Sequence, residues 1–298
     1  MIEKTVLFGC NKELTGIVSE PESSCQVHLK TAVIFLNAGL IHRCGCFRLH
    51  TDLSRQLVRM GFSSLRFDLH GIGDSSHIRS SLPAESIFLQ DIKEAIDFIG
   101  KEIGIEQIIL FGFCSGADQA HITAVNDERV KGAILIDGYA YRTLKFFYYD
   151  YSPGLFNFKR YPSVLKKNLI SLFSSIYKHQ SSNLTYISGP EIYIRNFPEK
   201  NKTQSEIRQL VDRGVRLMYI YSGGMPRYYN YDNQFREMFS SVNFKGNITY
   251  RYIKEADHTF TRLCLRNILY NFVITWLRDN FITFSRIENI NSKGNKTK

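Results

Sequence analysis

The sequence predicts an α/β fold with a mostly parallel central sheet, helices on both faces, and an inserted lid. Three observations carry that expectation. Short apolar runs alternate with helical patterns over most of the 298 residues. One run, residues 107–111, passes through Gly112-Phe113-Cys114-Ser115-Gly116 into a helical stretch at 117–125. The alternation breaks once, between Gly138 and Val215, where aromatic and basic residues accumulate.

The elements follow in order. Residues 5–10 and 14–18 read as an opening antiparallel hairpin, and 32–36 as a buried strand leading into the loop Asn37-Ala38-Gly39-Leu40. Residues 48–60 have helical periodicity that Gly61 ends. A strand at 62–67 runs into the turn-rich Asp68-Leu69-His70-Gly71-Ile72-Gly73-Asp74-Ser75, and an amphipathic helix at 84–103 precedes the elbow strand. Strands at 130–136, 215–221 and 248–253 and a final helix near 262–278 complete the pattern. The expected domain plan is a core of residues 1–138 and 215–285, a lid at 139–214 with helical spacing from Val164 to Tyr177, and a basic disordered tail at 286–298.

Composition narrows the class. Apolar residues make up 44% and charged residues 22%, an ordinary globular balance. The longest apolar runs fall short of a membrane span, and residues 1–4 do not begin a secretory signal, so stable membrane insertion is not expected. Six cysteines without framework spacing read as reduced thiols and a cytoplasmic setting. Cys44-Gly45-Cys46 lacks a second ligand pair, so neither a metal nor a cofactor is expected. The net charge of +10 concentrates at 142–178, where seven Lys/Arg face one acid, Asp150. That charge suits a solvated face or an anionic substrate, and no nucleic-acid motif accompanies it.

The chemistry centres on the elbow. Strand, Gly-x-nucleophile-x-Gly and helix together lift the middle side chain out of the sheet, and here that side chain is the Cys114 thiol. Ser115 stands one residue off the apex, where its backbone N–H can serve an oxyanion. The general base should follow the last strand, and Glu255-Ala256-Asp257-His258-Thr259-Phe260 supplies His258. Asp68 and Asp74 follow the wrong strand to orient His258, and are expected to stabilise turns instead.

With these motifs the chain resembles the α/β hydrolases, and within them the serine-aminopeptidase-like hydrolases found beside exosortase and exopolysaccharide gene clusters. The matching stretches are residues 36–43, 65–75, 112–117 and 256–260. The resemblance implies Cys114 as nucleophile, His258 as base, and an oxyanion hole from the N–H groups of Leu40 and Ser115. Gly39, His42 and Arg43 are then expected to line the pocket. The usual position of the triad acid is occupied by Met225, in Ser222-Gly223-Gly224-Met225-Pro226. Asp137, at a strand end, and Asp232 are the two substitutes, with Asp137 favoured because a strand end is a fixed platform.

The function these features predict is hydrolysis of a small-molecule ester or thioester through a thioacyl enzyme. Acyl transfer from a thioester donor is one alternative, and a catalytically silent binding protein that keeps the fold is the other. Oligomeric state leaves no trace in the sequence.

Overall fold

A computed structural model describes residues 1–25, 27–78, 81–155 and 197–282, with side chains of 151–155 excepted. Its centre is an eight-stranded sheet. The strands are β1 (Ile2–Phe8), β2 (Leu14–Glu20), β3 (Thr31–Phe35), β4 (Ser63–Phe67), β5 (Gln107–Phe113), β6 (Val130–Ile136), β7 (Arg216–Ser222) and β8 (Ile248–Ile253). They lie in the order β1-β2-β4-β3-β5-β6-β7-β8. β1 pairs antiparallel with β2, and β2 antiparallel with β4; every later pairing is parallel.

The central strands β3, β5 and β7 are buried on both faces because both faces are covered. In β5, Ile108 and Leu110 enter one core while Ile109, Phe111 and Phe113 enter the other. The same alternation sends Ala133 and Leu135 of β6 one way and Ile134 and Ile136 the other. The first face is covered by α2 (Ala84–Ile103), α3 (Ser115–Asn126) and α5 (Lys200–Asp212) through Ile92, Ala120 and Leu210. The second is covered by α1 (Leu49–Arg59) and α7 (Leu263–Leu277) through Leu53 and Leu269. A helix α4 (Leu144–Leu155) and a short α6 (Gln234–Met238) lie between β6 and β8 in the chain.

Predicted and observed elements agree closely. The strands at 130–136 and 248–253 and the helix at 84–103 have the predicted bounds. The elbow strand runs two residues further than expected, to Phe113, because Gly112 and Phe113 continue the pairing with β6. Of the predicted lid, α4 and α5 are described; the helical spacing from Val164 to Tyr177 and the tail at 286–298 lie outside the described residues. Among the described residues, no helix is long and apolar enough to cross a membrane.

Parallel register decides where the site forms. Phe113 pairs with Ile136, Ile136 with Ile220, and Ser222 with Ile253. The residues just beyond these partners therefore emerge together along the carboxyl edge of the sheet, where open α/β sheets bind ligands.

Candidate active site

Cys114 leaves β5 at φ 55°, ψ −121° and is the N-cap of α3. A non-glycine residue rarely holds that conformation, which costs of order 1–3 kcal/mol and persists only where the surroundings enforce it. Here the enforcement is visible. The Cys114 N–H donates to the carbonyl of Ile136 at 2.9 Å, and Ala117 N–H closes back on the Cys114 carbonyl at 3.0 Å. The two flanking glycines supply space rather than unusual dihedrals. A side chain on Gly112 would collide with the backbone of Gly116, and one on Gly116 with the carbonyl of Asn37. The positive φ falls on the cysteine and on neither glycine, and the N-cap of a helix is a position where the helix dipole favours an anion.

His258 follows β8 and reaches the elbow. Its Nδ1 lies 2.8 Å from Asp137 Oδ2, and the imidazole shares a second side-chain hydrogen bond with Cys114. The Phe113 ring stacks on the imidazole at a 5.0 Å centroid distance. Burial alone would lower the His258 pKa. The hydrogen bonds to Asp137 and Cys114 and the charges on both outweigh burial and raise it to about 10. Both contacts therefore favour the protonated form of the ring.

Asp137 is fully buried and, like Cys114, has a left-handed backbone, at φ 50°. Its Oδ1 accepts the Ser222 N–H at 2.7 Å, and its Oδ2 accepts the Ser222 hydroxyl, also at 2.7 Å. These bonds leave one direction open on Oδ2, toward His258. Asp232 is exposed and contributes only its backbone carbonyl, to the Tyr229 hydroxyl at 3.0 Å. Of the two acids that the sequence left open, the structure joins Asp137 to His258. The turn after β7, which holds Met225, approaches the histidine loop closely. Side chains on Gly223 and Gly224 would collide with the backbone of Lys254 and His258, so this turn packs directly beneath the histidine loop.

The loop after β3 approaches from the other side. Gly39, at φ 55°, donates its N–H to Ser115 Oγ at 2.8 Å, and Ile41 N–H closes on the Ala38 carbonyl at 3.1 Å. Leu40, between them, is 57% exposed. Arg43 departs from the expectation of a pocket-lining residue. It is buried, and its guanidinium pairs with Asp68 and, at 2.7 Å, with Asp74. His42 turns toward the same two carboxylates, at 3.5 and 3.6 Å, with Nδ1 3.2 Å from Cys44 Sγ. His42, Asp68 and Asp74 do offer three ligand atoms within 4.8 Å of one another, but the Arg43 guanidinium already supplies the positive charge there.

Sequence reasoning missed the residues that shape the histidine loop. Asp257 accepts from the backbone of Thr259 at 3.0 Å and of Thr261 at 3.2 Å, and from both their hydroxyls. Arg266 Nη1 donates to the carbonyls of Phe260 and Thr261 at 2.9 and 2.8 Å, beneath the exposed ring of Phe47. An acid with two threonines at the next alternate positions is the pattern of a side-chain-closed turn, and was legible as such. Cys46 also stands close by. Burial raises its thiol pKa, and the charges of Cys114 and Asp257 add to that. All six cysteines are free thiols.

Comparison with known proteins agrees with this fold. Solved structures that the whole chain resembles include an esterase of Pyrococcus furiosus, Pf2001 (16% identity, TM-score 0.59, 94% of this chain and 91% of that one). Another is Est1E of Butyrivibrio proteoclasticus, solved with ferulic acid (13%, 0.56, 92% and 99%). A third is XC6422 of Xanthomonas campestris, described as an α/β serine hydrolase without lid (13%, 0.54, 93% and 94%). At these identities the likeness establishes the α/β-hydrolase fold. A search of curated proteins finds no match. The model of one hydrolase family, "Serine aminopeptidase, S33", matches residues 29–191, more than half of the chain, spanning the loop after β3, the elbow and Asp137. The chain belongs to that family.

Proposed function

We propose that this protein hydrolyses a carboxylic ester or thioester through Cys114, His258 and Asp137, by way of a thioacyl enzyme. The observation that carries the reading is the pairing of His258 with Asp137 on one side and Cys114 on the other, at a strained elbow.

The Cys114 thiolate attacks the acyl carbonyl, and the oxyanion that develops is received by the N–H groups of Leu40 and Ser115. The tetrahedral adduct collapses as the His258 imidazolium gives its proton to the leaving alkoxide or thiolate. Neutral His258 then takes a proton from water, whose oxygen attacks the thioester. The second adduct expels the Cys114 thiolate beside a renewed imidazolium, and the carboxylic acid departs. Asp137 holds the Nδ1 proton throughout, so that Nε2 is the nitrogen that exchanges protons. A silent binding role was motivated by the missing acid after β7; the Asp137 contact supports an equipped site instead.

Short p-nitrophenyl esters and acyl thioesters test the reading against a Cys114→Ala variant. We expect wild-type release of free acid with water as acceptor, and loss of on the order of 10³ or more in kcat on substitution. Equal, near-background rates in the two proteins would sink it. Acyl appearing on an added alcohol or amine in place of free acid would convert the assignment to acyl transfer at the same residues.

A further inference from the structure

The carboxylate of Asp68 is fully buried, follows β4 rather than a strand bearing a triad residue, and takes no part in the steps above. Its surroundings nevertheless lead to the loop that carries Leu40. Asp68 Oδ1 accepts the Arg43 N–H at 2.6 Å and the Asn37 side-chain amide at 3.1 Å. Oδ2 accepts Arg43 Nη1 and, at 3.2 Å, the Asp74 N–H. Asn37 passes the constraint on, giving its amide to the Ile41 carbonyl at 2.8 Å while its Oδ1 accepts the Leu69 N–H at 2.9 Å. Both ends of segment 37–43 are therefore fastened to one carboxylate. Its middle is fastened to the elbow, through Gly39 N–H and Ser115 Oγ.

Two further details show that the approach is built into the fold. Gly73 has no side chain where one would collide with the Asp68 carboxylate. A buried carboxylate without partners would be strongly destabilising, and this one is matched by a guanidinium and three N–H donors. His42 and Asp74 also face the cluster, so it is a closed ion network rather than a vacant ligand site.

We propose that Asp68, acting through Arg43 and Asn37, is the positioning residue of the oxyanion loop: it sets where the Leu40 N–H points during acyl transfer to Cys114. This rests on the reading of Cys114 and Leu40 given above. An oxyanion donor acts only when its N–H is already aimed at the oxygen's transition-state position, so a loosened loop lowers kcat and leaves the ground-state thiol pair intact.

Two readouts separate this from a merely structural role. Ester turnover needs the oxyanion hole; alkylation of Cys114 by iodoacetamide is a displacement at saturated carbon and does not. For Asp68→Asn we expect kcat to fall by about 10²–10³ with KM changed by no more than about threefold, while the alkylation rate stays within about twofold of wild type. Arg43→Lys, which keeps the charge and loses the fork, should fall in between. If Asp68→Asn does not fold, Asp74→Asn removes only the exposed partner of Arg43 and should still lower kcat by about 3–10-fold with alkylation unchanged. Parallel loss of turnover and alkylation, or unchanged kcat in the folded variants, overturns the proposal. Uniform labelling of all six thiols in wild type would instead overturn the nucleophile assignment, so the two failures are distinct.

Discussion

Two histidine–aspartate pairs sit at opposite ends of this sheet's chemistry, and locally they are nearly the same. His258 Nδ1 meets Asp137 at 2.8 Å; His70 Nδ1 meets Asp91 at 2.7 Å. Both aspartates are buried, and both also accept a backbone N–H, from Ser222 in one case and His70 itself in the other. The difference lies on the far side of the ring. His258 hydrogen-bonds a thiol held at a left-handed elbow, whereas His70 Nε2 faces Glu13 at 3.5 Å. Glu13 is not held at a strained elbow, so the His70 pair joins α2 to the β4 loop and goes no further. The pair by itself is a fastening, and what makes a reactive centre of it is the strained residue it faces.

The strongest way to break this comparison is to remove each imidazole in turn. His258→Ala should lower kcat by on the order of 10³ or more and slow iodoacetamide labelling of Cys114, since the thiol loses the cation that stabilises its anion. His70→Ala should keep kcat within about threefold of wild type while lowering the urea midpoint, because buried Asp91 loses its imidazole partner and keeps only the backbone N–H. A His70 variant with the larger catalytic loss would show that the two pairs have been assigned the wrong roles.

The same contrast explains how much was legible beforehand. Cys114, His258 and the bounds of β6, β8 and α2 could be read because apolar periodicity and glycine spacing are local signals. The acid was harder. Asp137 is a single aspartate just past a strand and Asp91 a single aspartate inside a helix, and only the register that sets Ile136 beside Ile220 and Ser222 beside Ile253 brings one of them to His258. Arg43 was misread as a pocket residue because its partners, Asp68 and Asp74, lie 25 or more positions away in the chain. Ion networks of that range leave no periodic trace. The roles of the two elbow glycines were visible as spacing, but that they serve close backbone approach, with the strain borne by Cys114, required coordinates.

A milder intervention is to neutralise each acid and keep its shape. Asp137→Asn removes the charge that holds the His258 tautomer, and by analogy with triad enzymes kcat should drop by about 10²–10⁴. The amide oxygen can still accept the Ser222 N–H, and the Ser222 hydroxyl can turn to accept from the amide NH2, so folding should survive. Asp91→Asn should cost stability by about 1–3 kcal/mol, read in urea unfolding, with turnover preserved. Equal catalytic effects from the two substitutions would remove the distinction between fastening and reactive centre.

The smallest expected effect is on the pH dependence of stability. The His258 pKa is raised to about 10 in the fold, against about 6.5 for a free imidazole, so folding retains a proton that the unfolded chain releases. Counted for the imidazole alone, the stabilisation is complete below about pH 6.5, shrinks as pH rises, and is gone once the pH passes about 10. Lysines, tyrosines and other thiols also titrate toward the alkaline end, so the informative quantity is a difference between proteins. An imidazolium that took its proton from Cys114 leaves the proton count unchanged until an unfolded thiol ionises as well, so the urea midpoint of wild type minus that of His258→Gln should decline between about pH 8.5 and 10. Asp137→Asn should flatten the same decline, because it removes the hydrogen bond and charge that oppose burial. Asp91→Asn should leave it in place, since Asp91 bonds His70 and not His258. A wild-type minus His258→Gln difference that stays constant up to about pH 10 would mean that the ring does not retain its proton in the folded protein, and that Cys114 has no resident cation to hold its thiolate.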